Sequence, residues 1–415
     1  MSAIVLNHSS TLTTGPSHNE PQSYDRELEL VSLATGTKSL PVSALPRCDG
    51  LILHDCHAEI LALRGLNYWL LTETGRLLQD KVYRSEWLET NPSKTTESTP
   101  SPPFRFRQGV EISLFSTEAP CGDASMELVI AAAETAGQDI SPWPTGAEQE
   151  IPTTDAQGLP FGRGFFSKLG ALRRKPARAD AEISMSKSCT DKLMLKQFVG
   201  ILNFPLDMFL ESSPEAFLKR IVVYEDQYSE AGYSRAFGPE GRLHEILTAG
   251  EEDLRTSARF FEVCTLPFHF RRFEFEKHRG GLGTIRKNKV SNVTAQWIAA
   301  GEGQKDNAAV EVLVNGVKQG FKQFDEKERK GSVVCRRNMV RKAVELQKVL
   351  NETGIGAVVP ELEIGMPCSY SELKSSPFKE HRDHLKQLVL AGLGGWPKDY
   401  LKDDFEIDLS SSSIQ

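Results

Sequence analysis

The chain has 415 residues, 39% of them hydrophobic and 25% charged, with a formal net charge of −7. This is the balance of a soluble globular protein with enough apolar side chain for a buried core. It excludes a generally basic nucleic-acid binder, and no apolar run is long enough to cross a bilayer.

The start, "MSAIVLNHSS", has neither the charged leader nor the long apolar stretch of a signal peptide. The seven scattered cysteines are therefore expected as reduced thiols of a cytoplasmic or nuclear protein, with metal binding or catalysis as their special roles. "SAIVL" begins a strand, and "RELELVSLATGTKSL" (Arg26 to Leu40) reads as a second strand ending at a glycine turn. The next stretch, "LILHDCHAEILALRGLNYWLL", crowds His54, Asp55, Cys56, His57 and Glu59 together. Ile60, Leu61, Leu63, Leu66, Trp69, Leu70 and Leu71 then follow at helical spacing.

Residues 88–103 are Ser/Thr/Pro-rich and are expected to be a disordered insertion. "VEISLFSTEAP" reads as a strand and "CGDASMELVIAAAETAG" as a helix closed by Gly137, followed by a second polar insertion over 138–164. "SCTDKLMLKQFVGILNF" continues helically to Pro205, "FHFRRFEFE" (Phe268 to Glu276) alternates as a strand, and Arg329 to Leu350 and Lys379 to Leu390 read as helices. The pattern predicts an α/β core with a mostly helical second half, one large domain over 1–402 and a flexible tail over 403–415.

His57 and Glu59, spaced H-x-E, open one helix, and Pro120-Cys121 opens another directly after a strand. Each pair alone is more often decoration or a buried thiol; together, in successive α/β units, they favour a catalytic zinc site. Such a site needs three protein ligands and one open position for water. It also needs a carboxylate that is not a ligand, here Glu59, to move the proton. The deaminase signature P-C-x-x-C would place a second cysteine at 124, but that residue is Ala124. The third ligand is thus left to another cysteine, and Cys189 is attractive because "SCTDK" heads a helix. Cys264 and His54 are weaker alternatives.

"DCHAEI", "PCGDAS" and "SCTDK" in this order, with "ATGTK" before them and "AGLGGW" after, resemble the adenosine deaminases acting on RNA. The resemblance covers nearly the whole chain. It is strongest to the members specific for tRNA, which convert the adenosine 3′ of the anticodon of tRNA-Ala to inosine. It implies a cytidine-deaminase-like core, a mixed sheet flanked by helices. It implies one zinc ion on His57, Cys121 and Cys189, with Glu59 as proton shuttle and Asp55 linking Lys192 to the metal site. It also implies a buried inositol hexakisphosphate held by Arg64, Lys192, Lys318, Tyr370, Lys374, Trp396 and Lys398. Leu63 and Leu195 stand where the family has arginine, and Lys196 is the substitute cation.

The family's partner is RNA, here the anticodon stem-loop. Phosphates are expected on Arg173, Arg174, Lys175 and Arg178 of "LRRKPARAD", with Thr37 and Lys38 at the pocket edge. The solvated-loop reading weighs equally for each of these cations. A second cation-rich run covers Lys318 to Lys342. The alternatives are deamination of long double-stranded RNA, or a tRNA-binding protein whose zinc site is degenerate.

Overall fold

The computed structural model describes residues 1–9, 28–91, 101–135, 137, 169–175, 182, 184–249, 252–270, 291–300, 308–353, 368–375, 380–393 and 403–407. The predicted 138–164 insertion lies outside the described residues.

Strands β1 (Ser2–His8) and β2 (Glu29–Ala34) pair antiparallel. Helix α1 (Ala58–Gln79) then buries Leu61, Leu63, Leu66, Trp69, Leu70 and Leu71, as its spacing predicts. The edges of the expected 88–103 insertion are ordered. β3 (Leu88–Thr90) pairs with β4 (Phe104–Phe106), and Leu88 and Phe104 are fully buried. β5 (Val110–Ser116) alternates strictly, with Val110, Ile112, Leu114 and Ser116 inward. A short 3-10 turn leads from it into α2 (Met126–Thr135), and Gly137 follows in the left-handed region (φ 63°) that favours glycine.

Helix α3 (Cys189–Val199) stops at Gly200 (φ 66°), earlier than its periodicity suggests. β6 (Leu218–Tyr224) is followed by α4 (Glu230–Phe237), α5 (His244–Ala249), α6 (Glu252–Ser257) and β7 (Glu262–Leu266). The strand thus lies ahead of the predicted 268–276. Pro267 ends it, Phe268–Phe270 form a 3-10 turn, and 271–276 lie outside the described residues. β8 (Val293–Ile298), β9 (Ala309–Val314) and β10 (Val317–Lys318) precede α7 (Arg336–Thr353). After β11 (Cys368–Ser369) come α8 (Tyr370–Lys374), α9 (Glu380–Gly392) and β12 (Glu406–Ile407).

Eight strands form one mixed sheet in the order β10-β9-β8-β2-β1-β5-β6-β7. Pairing is antiparallel from β10 to β5 and parallel from β5 to β7. Helix α1 lies close on β2: Ser32 Oγ donates to the Ala62 carbonyl at 2.8 Å, and a Cβ on Gly65 would sit 2.9 Å from the Ser32 Cβ. Residues 403–407 are not a free tail. β12 pairs with β11, Phe405 and Ile407 are buried, and Asp403 bonds His54. Among the described residues no helix is long and apolar enough to cross a membrane.

Candidate active site

Three segments distant in the chain meet at one point. His57 stands extended at the head of α1, Cys121 follows β5, and Cys189 is the first residue of α3. Their ligating atoms lie within 4.8 Å of one another, and His57 Nδ1 is 3.6 Å from Cys121 Sγ. A tetrahedral zinc ion at ordinary bond lengths separates a thiolate and an imidazole nitrogen by about 3.5 Å. The donor set and its spacing therefore fit that ion. Cys264, the rival third ligand, sits mid-strand in β7, outside this group.

The backbone around the cysteines is laced together. The Thr190 N–H donates to the Cys121 carbonyl at 3.0 Å, and the Cys189 N–H reaches Cys121 Sγ at 3.4 Å. Ser188 caps α3 by accepting from the Asp191 N–H. Gly122 (φ 115°) permits the approach, since a Cβ there would lie 2.3 Å from Ser188 Oγ. The Cys121 thiol is held well below its usual range by the hydrogen bond from Cys189, with Lys175 and His57 adding to the effect. Burial pushes the Cys189 thiol the other way. Glu59, buried in the first turn of α1, has a carboxylate oxygen 3.5 Å from Cys189 Sγ. Burial and then the Cys121 charge raise its pKa, which favours a group that both takes and gives a proton.

The "LRRK" run does not face solvent. Arg173, Arg174 and Lys175 are 1%, 3% and 4% exposed, which removes them as phosphate contacts. The backbone at Arg173 and Arg174 pairs with Ser188 and Lys187, turning these side chains inward. Lys175 Nζ lies 2.9 and 2.8 Å from the two Asp55 oxygens and 3.5 Å from Cys189 Sγ. Burial alone would lower its pKa, but Asp55 and the two thiols raise it and keep it charged. Asp55 correspondingly falls well below the usual carboxylate range: Lys175 and then Lys192 overcome its desolvation. Its carboxylate also accepts from the His57 N–H at 3.0 Å and the Ser186 hydroxyl at 2.8 Å. Lys192 contacts Asp55, the link expected from the sequence, but nothing in the local pattern points to Lys175 or Ser186. Arg178 lies outside the described residues. Thr37 is exposed and Lys38 half-buried, and the Lys38 carbonyl accepts from the Cys56 N–H at 2.9 Å, beside His57.

A second cluster is cationic. Arg64, Arg336 and Tyr370 line a cavity with Asn67, Asn203 and Phe204. Burial and then Arg336 lower the pKa of Arg64, so the pair repel in a desolvated place. Lys196 Nζ donates to Asn203 Oδ1 at 2.8 Å, and burial and then Arg382 lower its pKa well below the usual lysine range. Lys374 keeps solvent contact on α8. Lys318 instead pairs with Glu311 at 3.2 Å, while Trp396 and Lys398 lie outside the described residues. Arg336 and Arg382 are additions that the sequence reading missed. A buried polyanion would relieve this repulsion, so the residues present fit one. Cys48, His54 and Asp403 also converge, but Arg336 lies 3.3 Å from the Asp403 carboxylate and burial raises the Cys48 thiol to about 12. That group reads as a structural tie.

The adenosine-deaminase (editase) domain model matches residues 32–400. The chain is 34% identical to tRNA-specific adenosine deaminase 1 of Schizosaccharomyces pombe, over 79% of this chain and 76% of that protein. It is 36% identical to the Saccharomyces cerevisiae protein of the same name, over 71% and 64%. The Drosophila melanogaster double-stranded RNA-specific editase Adar is 29% identical over 45% of this chain and 26% of its own length. A family match over most of the chain, on a mixed sheet that brings His57, Cys121, Cys189 and Glu59 together, settles the membership: the chain belongs to the adenosine-deaminase (editase) domain family.

Proposed function

We propose that the protein is a zinc-dependent deaminase that converts adenosine to inosine in tRNA, at the adenosine 3′ of the anticodon of tRNA-Ala. The observation that carries the reading is the meeting of His57 Nδ1 and two cysteine sulfurs within 4.8 Å, with the Glu59 carboxylate 3.5 Å from Cys189 Sγ. The names of the fungal relatives support tRNA as the substrate.

His57, Cys121 and Cys189 would hold the zinc ion, and Ala124 offers no fourth ligand to close the site. When bound, the metal lowers the pKa of a water towards ~7 and so makes a nucleophile available at neutral pH. Glu59 takes the proton of that water and passes it to N1 of the adenine as oxygen adds at C6. It then takes the proton of the hydroxyl added at C6 and hands it to the 6-amino group, which leaves as ammonia as the C6 carbonyl of inosine forms. Buried Asp55 fixes the head of α1 through the His57 N–H, and Lys175 sets the charge beside Cys189. The target base must leave its stack at a cost of about a few kcal/mol, which a loop nucleotide makes small. Inositol hexakisphosphate suits the cationic cavity around Arg64, Lys196 and Arg336, with Tyr370 at its wall.

The test is incubation with unmodified tRNA-Ala, followed by sequencing of cDNA for A-to-G change. Conversion beside the anticodon by wild type, and none by Glu59→Ala with zinc retained, is the expected result. Conversion only in long duplex RNA would reassign the substrate, and no conversion at all would end the enzymatic reading.

A further inference from the structure

Removal of Arg173, Arg174 and Lys175 from the surface leaves open where an RNA backbone would rest. We propose that the lobe built from residues 318–330 and the 3-10 turn Val42–Arg47 is a docking surface for the sugar-phosphate backbone. The proposal rests on RNA being the substrate.

The lobe has its own small core. Leu40, Ala44, Leu45, Cys48, Ile52 and Val317 are buried together, separately from the main core, with Phe321 and Phe324 packed on them. The Arg47 guanidinium lies 3.5 Å from the Phe324 ring centroid, and that of Arg329 lies 5.6 Å from Phe321. Stacking orders a guanidinium and leaves its in-plane N–H groups free for phosphate oxygens.

Arg47, Lys322, Lys327 and Arg329 are all exposed. None of the four forms an ion pair among the described residues, in contrast to Arg336, Arg337 and Arg341 of the same basic run, which bond Asp403, Asp49 and Glu328. Arg47, Lys322, Lys327 and Arg329 therefore present unpaired charge, whereas Lys318 pairs with Glu311 and Lys330 is buried. The opposing acids are engaged or few: Glu328 is taken by Arg341, Asp325 accepts from the Lys327 backbone, Glu182 accepts from the Ser43 N–H of the 3-10 turn, and Glu326 is exposed.

The lobe also stands beside the candidate active site. The Leu40 N–H donates to the His54 carbonyl at 2.8 Å, and Ser39 bridges to Asp55. Met185, packed on the small core, adjoins Ser186, whose hydroxyl bonds Asp55. Nine residues lead from Lys38 at the rim to Arg47. They span about 30 Å at most, roughly nine phosphate steps along one strand.

The experiment measures the affinity of the full chain for a tRNA transcript across a salt series. Each lost phosphate contact flattens the slope of log K against log salt by about 0.7–0.9. The quadruple variant R47A/K322A/K327A/R329A is expected to flatten it by about 3 and to weaken binding at least tenfold, with unchanged metal content. Because Arg47 and Arg329 also cover rings, K322A/K327A is the control that leaves the packing untouched, with an expected flattening of about 1.5. A slope equal to wild type in both variants overturns the proposal. So does loss of polyglutamate binding with tRNA binding intact, which would assign the lobe to an acidic protein. Salt-sensitive binding that the variants lose, in a protein that deaminates no tRNA, would keep the surface and remove the function proposed above.

Discussion

Lys175 and Asp55, 120 residues apart in sequence, face each other across 2.8 Å with 4% and 6% of their side chains exposed. A buried pair of this kind adds little over a well-packed apolar pair, and stranding one charge of an isolated pair costs about 3–5 kcal/mol. Asp55 keeps Lys192, the Ser186 hydroxyl and the His57 N–H, so the loss of Lys175 costs less than that. Lys175→Met is therefore expected to lower the thermal midpoint modestly. The same ammonium lies 3.5 Å from Cys189 Sγ, and loss of such outer partners reduces metal affinity or activity about 10–100-fold. Thermal unfolding together with metal content after dialysis checks both. A variant that holds metal as wild type does would show that Lys175 serves the fold alone.

Glu59→Gln separates proton transfer from metal binding. The amide keeps the shape but neither takes up nor releases a proton, so deamination should fall by about 10²–10⁴ with the metal still bound. In metal-free protein the variant should also be the more stable one at neutral pH. Burial raises the Glu59 pKa above its ordinary 4.5, so the folded state binds the extra proton and stability is lost as pH rises past that value. Gln removes the loss, and its advantage should shrink as pH falls towards 4.5. Midpoints of the two metal-free proteins that stay equal from pH 4.5 to 8 would contradict the assignment.

The buried arginines offer a third check. Arg173→Ala should lower the thermal midpoint and leave the salt slope of tRNA binding as it is, because the side chain is 1% exposed. Its neighbours are the charges of Asp123 and Asp191, each two residues beyond a cysteine ligand, not solvent. A slope flattened by about one phosphate contact, with the midpoint intact, would return Arg173 to the RNA surface.

The legible parts of the sequence were those where local pattern and burial agree. β5 alternates because one face is core, and α1 repeats Leu61, Leu66 and Leu70 because one face of the helix packs on the sheet; its 22 residues at 1.5 Å each give a length of about 33 Å. The metal ligands were readable because each heads its own element with a distinctive neighbour. β9 was silent for a physical reason: its alternation is inverted, with Glu311 inward and Val310 and Val312 exposed. Buried Glu311 is satisfied by Ser332, the Val333 N–H and Lys318, partners that only the fold supplies. Lys175 was misread for the same reason. A lysine in a basic run carries no local mark of the aspartate that folds over it.

The cationic cavity makes the sharpest pH prediction. Lys196 sits among Arg382 and Lys386, and burial, then Arg382, depress its pKa well below 10.5. In the unfolded chain it would hold its proton up to that ordinary value. Between the depressed value and 10.5 the unfolded state therefore binds more protons, so stability rises with pH across that window, and the penalty is fully present below it. Lys196→Met should flatten the rise in polyanion-free protein. Bound inositol hexakisphosphate should flatten it too, because six phosphates favour the charged lysine and offset its desolvation. It should also stabilise by about 2.7 kcal/mol at a hundredfold excess over Kd. Thermal midpoints at pH 7 and 9.5, with and without the added polyphosphate, decide the matter: if neither the midpoint nor its pH dependence moves on addition, and none was carried through purification, the cavity around Arg64 and Arg336 binds no such anion.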